Sequence, residues 1–364
     1  MTVAPPFPVS HRRALRIAAA LLLCALGLAA TALLIALVVN PLIRPVRDTG
    51  MHRENLAMLR GTASQADVLV VGTSRLLHGF DPRVFDAETA RLGHPWHAVN
   101  LSLERLLLWE QVRIVDDALA IPGFKPRLVL LEPAVGLGIA PENFTHARTL
   151  EFETPGAWRL AVDSITGSNR SPAHKAWNIA THSLVAALHD IHYGLYTRWV
   201  FPPLPASSPS LEPSDPKLRG FIPHADPPPG TEPAAWLVGL RTAYLAKYAH
   251  DSAAPGVLPA AMREHYLALR ERLRQRGIEV VFVQPPQLAF TTDELRELTY
   301  AFPSAIPPEH DRPGILSYLD PQQHAALFNP RWWYDYNHLT ATGAELFTRE
   351  LAGDLVRRAT AAAP

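Results

Sequence analysis

Cysteine is nearly missing from this chain. Cys24 is the only one in 364 residues, and it lies in an apolar N-terminal run. The rest of the sequence therefore has no disulfide framework and no thiolate metal site. An excess of charge is also lacking, because 34 Lys and Arg balance 34 Asp and Glu. That removes the basic footprint expected of a nucleic-acid partner. The 16 His form no recognisable ligand cluster, and no His pair brackets a Glu in the metalloprotease arrangement. His78 and Glu104 lack a second ligand at metal spacing. Neither a metal nor another cofactor is expected.

Charge is absent altogether from Ile17 to Val39, a run of 23 positions. At a rise of about 1.5 Å per residue, that length crosses a hydrocarbon core of about 30 Å. A cleaved signal peptide would have a shorter apolar segment, of about 7–15 residues, and a clearer cleavage site. The sequence thus predicts a cytoplasmic N-terminus over 1–16, a transmembrane helix over 17–39 and a juxtamembrane linker over 40–65. Arg12, Arg13 and Arg16 form a tight basic cluster before the span. Arg44, Arg47 and Arg53 after it are mixed with Asp48 and Glu54. The unmixed cluster favours an inside N-terminus and a remaining chain outside the inner membrane, periplasmic or extracellular.

About 310 residues then remain, enough for one large α/β domain. Short apolar runs at Asp67–Val71, Trp96–Asn100, Arg127–Leu131, Ile278–Val283 and Ile315–Leu319 read as buried strands. Helical patterns at 82–92, 106–120 and 259–276 separate them. This alternation predicts a parallel sheet covered on both faces. Residues 140–256 break the rhythm. They hold helical stretches at 158–163 and 176–193, then eleven prolines between Phe201 and Pro233, which no regular helix tolerates. An inserted cap or lid is the expectation for 140–256, inside a domain over 66–358.

Two blocks carry chemistry. Val68–Val71 runs into Gly72-Thr73-Ser74-Arg75. Near the end, Asp335-Tyr336-Asn337-His338-Leu339 precedes Gly343 and a helical run over 344–358. An Asp three residues before a His suits a relay. The Asp holds the imidazole tautomer, and the imidazole takes a proton from a hydroxyl. Each residue has a plainer reading. Ser74 could cap the helix that follows, His338 could be a surface residue near a turn, and Asp335 could cap the terminal helix.

In order and separation, these two blocks resemble those of the SGNH/GDSL hydrolase superfamily. The resemblance spans roughly residues 66–355 with a long unmatched middle. It implies a three-layer α/β/α, flavodoxin-like fold, with Ser74 as nucleophile and Asp335 and His338 completing the triad. Two family blocks are missing. No Gly follows the second strand, where Leu101-Ser102-Leu103-Glu104 stands. No Asn-Asp follows the third, where Glu132-Pro133-Ala134-Val135-Gly136 stands. The pattern is therefore more similar to divergent, membrane-anchored members that acylate cell-envelope polysaccharides. That likeness implies an ester hydrolase or O-acyltransferase, an envelope glycan as substrate and a membrane-bound acyltransferase as partner. The Ser74 backbone N–H is one expected oxyanion donor, and Arg75, Asn100 and Ser102 are candidates for the remaining oxyanion or substrate contacts. Two alternatives stay open. One is a catalytically weak or inactive scaffold of a polysaccharide modification or export complex. The other is a carbohydrate-binding surface built on Trp332 and Trp333.

Overall fold

The computed structural model describes residues 11–34, 50–104, 106–133, 152, 154–167, 171–192, 215–250, 260–288, 306 and 314–361. Of the expected linker and Pro-rich insert, 40–49 and 201–214 lie outside these residues, as do 1–10 and 35–39 of the N-terminal segment.

Five parallel strands form one sheet: β1 (Val68–Val71), β2 (Ala98–Asn100), β3 (Leu128–Leu131), β4 (Glu279–Gln284) and β5 (Ile315–Ser317), in the order β2-β1-β3-β4-β5. Ten helices accompany it among the described residues. They are α1 (His11–Leu34), α2 (Gly50–Thr62), α3 (Ser74–Gly79), α4 (Pro82–Arg91), α5 (Leu108–Leu119), α6 (Pro155–Gly167), α7 (Pro172–His192), α8 (Ala235–His250), α9 (Ala260–Arg274) and α10 (Ala341–Thr360).

The strands are apolar at nearly every position because both faces are covered. Leu69, Val71, Val129, Leu131, Val280 and Phe282 point to one side, against Leu59 of α2, Val115 of α5 and Leu269 and Leu273 of α9. Their neighbours Val68, Val70, Leu128, Leu130, Val281 and Val283 point to the other. There they meet Leu76 of α3, Phe85 of α4 and Phe347 and Leu351 of α10. A one-residue slip of any strand would exchange the two sets, so the register is fixed by burial.

The described parts of 140–256 extend both layers. Ala157 and Ala161 of α6 join the first cluster beside α9, and α7 packs on α6. Leu237 and Tyr244 of α8 join the second, where the Tyr244 hydroxyl donates to the Leu319 carbonyl at 2.6 Å. Arg219 and Gly220 lie against the free edge of β2, and the chain then passes Leu77 of α3 to reach Thr340 before α10. The Asn100 N–H donates to the Arg219 carbonyl at 3.0 Å. Gly220, at φ +87°, sits so close that an added Cβ would fall 1.8 Å from the Asn100 carbonyl oxygen.

Helix α1 lies outside the core and touches α7. Its 24 residues span about 36 Å, and from Arg13 to Thr31 none is buried. It is long and apolar enough to cross a membrane.

Candidate functional site

The sheet order reverses between β1 and β3, so the loops leaving their C-terminal ends diverge and leave a crevice. Gly72, Thr73 and Ser74 follow β1 there, and Glu132 follows β3. From Val68 to Pro82 every residue is buried except Ser74.

The turn that presents Ser74 is held from below. Glu132, fully buried, accepts from the Thr73 N–H at 2.7 Å, the Thr73 hydroxyl at 2.9 Å and Arg75 Nε at 2.6 Å. A further Arg75 nitrogen meets Glu132 at 2.5 Å, and another donates to Gln287. A buried carboxylate is tolerable only when paired and hydrogen-bonded in this way. Gly72 allows the approach, since a Cβ there would lie 2.6 Å from Glu132 Oε2. Thr73, in extended conformation, caps α3 by accepting from the Arg75 N–H. Ser74 is therefore the first residue of the helix and not its cap, which leaves its hydroxyl uncommitted to the backbone.

Asp335 and His338 lie on a tight loop before α10. The Tyr334 N–H donates to the His338 carbonyl at 2.9 Å, and Trp333 bridges to Leu339. Thr340 caps α10, with Gly343 tucked against the Trp332 carbonyl where a Cβ would meet oxygen at 2.4 Å. The plainer reading of Asp335 as a helix cap thus passes to Thr340. Asp335 Oδ1 instead accepts the N–H groups of Asn337 at 2.7 Å and His338 at 2.9 Å. Its Oδ2 faces His338 Nδ1 at 2.8 Å, and His338 Nε2 faces Ser74 Oγ at 2.8 Å. Burial opposes ionisation of Asp335. The His338 contact and the two backbone donors outweigh it and hold the carboxyl below its ordinary range. A carboxylate only accepts, so Nδ1 carries the proton and Nε2 presents its lone pair to the serine hydroxyl.

The structure brings Ser74, His338 and Asp335 into one hydrogen-bonded chain and gives the other candidates different work. Arg75 is turned inward onto Glu132 and Gln287. Asn100 donates through Nδ2 to the Leu76 carbonyl at 2.8 Å and the Phe80 carbonyl at 3.2 Å, closing the last turn of α3, and accepts from the Ser102 N–H at 3.0 Å. Ser102 is fully buried and its hydroxyl has no hydrogen-bond partner among the described residues. The Ser74 N–H, at the first position of α3, likewise has no acceptor among them. Trp333 belongs to the core, 4% exposed, with its indole N–H on the Leu327 carbonyl at 3.0 Å. It offers no ring for sugar stacking, which removes half of the suggested Trp332/Trp333 surface.

Two histidines border the hydrogen-bonded chain, His78, which lies near Ser74 in sequence, and His224, which does not. His78, on α3, donates from Nδ1 to the Ile222 carbonyl at 2.7 Å and stacks on His224 with centroids 4.0 Å apart. His224 stacks in turn on Tyr334 at 4.1 Å and lies 5.6 Å from the His338 ring. Desolvation, then the neighbouring His78 and His338, push His224 down to about 4, against the opposing pull of Asp335 and Glu104. It is a neutral wall beside the base at neutral pH. Only the fold could reveal it, because a lone His in a Pro-rich stretch has nothing nearby in sequence to pair with. No group of three or more His, Cys, Asp or Glu among the described residues could hold a metal ion. A cavity of about 160 Å³ lined by Asp67, Arg127, Glu279 and Arg358 opens at the opposite, N-terminal edge of the strands and takes no part in this chemistry.

No protein-family model matches the chain, and no curated protein matches it either, so the case for a function rests on these side chains and their geometry.

Proposed function

We propose that the chain is a membrane-anchored serine esterase or O-acyltransferase of the SGNH type, acting on an envelope glycan. The continuous contact from Ser74 Oγ through the His338 ring to Asp335, at 2.8 Å for each link, carries this reading. The strand order supports it, being the one found in flavodoxin-like doubly wound sheets. On this reading α1 holds the chain in the inner membrane as a single pass, with the site on the outer side. A membrane-bound acyltransferase is the expected partner.

Ser74 Oγ attacks the carbonyl carbon of an ester while its proton passes to His338 Nε2. The new C–O bond leaves the former carbonyl oxygen as an oxyanion, which the Ser74 N–H is placed to receive. Collapse breaks the bond to the leaving alcohol, which takes the proton back from Nε2, and an acyl-serine remains. Water or a sugar hydroxyl then gives its proton to Nε2 and attacks the acyl-serine; collapse breaks the bond to Ser74 Oγ, which takes that proton back from Nε2, and the acid or the new ester is released. Asp335 stays ionised throughout and steadies the imidazolium. The alternative of a catalytically weak or inactive scaffold would have gained from a Ser74–His338 distance too long for proton transfer, and their 2.8 Å contact weighs against it.

The test is labelling of the detergent-solubilised protein with a fluorophosphonate. Wild type should label at Ser74. Ser74→Ala should not label, and His338→Ala should slow labelling by roughly 10⁴-fold or more. Folded wild-type protein that resists the probe would return the balance to the scaffold.

A further inference from the structure

Helix α7 is built inside out. Past its first turn, where His174 is exposed, its exposed positions Ala176, Trp177, Ala180 and Leu184 fall on one face at helical spacing, and all four are apolar. Trp177 is 67% exposed and Leu184 is 60% exposed. The face turned to the protein holds Asn178 and His182, both fully buried, with His182 against the Trp109 ring. A helix on a water-soluble surface shows the reverse pattern, apolar in and polar out. Polar groups inside and apolar groups outside are expected where the surroundings are lipid.

Two further observations say which surface covers this stripe. Helix α7 touches α1, the one helix among the described residues that is both long and apolar enough to cross a membrane, so the stripe continues the apolar surface of that helix. Trp158 of α6, 37% exposed, donates its indole N–H to Ser183 Oγ at 3.0 Å and adds a second tryptophan at this border. Tryptophan is enriched at the level where acyl chains meet headgroups. The segment without Asp, Glu, Lys or Arg runs only from Ala176 to His189. Its length, about 20 Å, is too short to span but suits a helix lying in the interface.

We propose that the exposed stripe of α7 is seated in the bilayer that holds α1, so that the layer bearing α2, α5 and α9 faces the membrane. The occupant of the stripe is lipid. This rests on the anchoring proposed above, and the experiment separates the two. The full chain is reconstituted in phosphatidylcholine–phosphatidylglycerol vesicles. Native Cys24 is labelled with an environment-sensitive fluorophore. In a Cys24→Ser background, Trp177→Cys, Leu184→Cys and, on the opposite layer, Glu345→Cys are labelled in the same way. Nitroxide-bearing lipids should quench labels at 24, 177 and 184 severalfold more than the label at 345, and iodide should quench only the label at 345. Lipid quenching at 24 but iodide quenching at 177 and 184 would overturn the seating of α7 and leave the anchor standing. No lipid quenching at 24 would overturn both. Labels at 177 and 184 shielded from both quenchers would mean that protein covers the stripe, which also overturns the proposal.

Discussion

Ser74 needs a hydroxyl free of the backbone, a lone pair in front of it and a carboxylate behind the ring that supplies that lone pair. Thr73, His338 and Asp335 provide these in turn. Both chemical blocks were legible in the sequence, because a strand-ending serine and an Asp-x-x-His before a helix are short-range patterns. The His78–His224–Tyr334 stack was not, since 144 residues separate His78 from the Ile222 carbonyl it binds. His224 gives this stack a pH signature. With a folded value near 4 and an ordinary value of 6.5, it stays neutral in the native protein while the unfolded chain takes up a proton. Stability should therefore fall as pH drops from about 6.5 to about 4 and level off below. His224→Phe keeps a ring between His78 and Tyr334 but cannot titrate. Its urea midpoint should fall less than that of wild type over that interval, and equal slopes would exclude His224 as the source.

Elements were legible to the extent that their pattern was local. The five strands came out within a few residues of expectation because branched apolar runs between turn residues have few other uses in a soluble domain. Helix α8 escaped notice. It follows the proline run, contains Gly239, and carries Trp236 and Val238 on its exposed side, so its apolar residues trace no single stripe. The grip on the turn before α3 was also hidden, as Glu132 sits 59 residues from Thr73 and Gln287 lies 212 from Arg75. That grip should be expensive to break. Glu132→Ala leaves the Arg75 guanidinium buried without its partner, a loss of about 3–5 kcal/mol. It also frees the turn that aims Ser74, so fluorophosphonate labelling should slow even where the variant remains folded at low temperature. Unchanged stability in urea would show that Arg75 finds an equivalent partner.

At the scale of the molecule, the chain combines an N-terminal helix of membrane length, charged only in its first turns at Arg12, Arg13 and Arg16, with a two-faced α/β core. The chain should remain in the pellet when membranes are washed with alkaline carbonate, as integral proteins do. Release into the supernatant would reduce α1 to a peripheral or processed segment. On the reading proposed here, the two described ends serve different tasks, α1 the attachment and α10 the positioning of the base. Helix α10 packs against α3 and α4, so the segment bearing His338 is fastened directly to the helix that begins with Ser74.

Ser74 and His338 are 264 residues apart, and the base arrives with the last helix described. On the reading proposed here, the nucleophile leaves the ribosome 264 residues ahead of its general base. On the same reading, a nascent chain is tethered before it is competent, and a product truncated ahead of Asp335 is tethered but inert. Acyl transfer then begins only after translation has passed His338 and α10 has docked against α3 and α4, a delay built into the chain order.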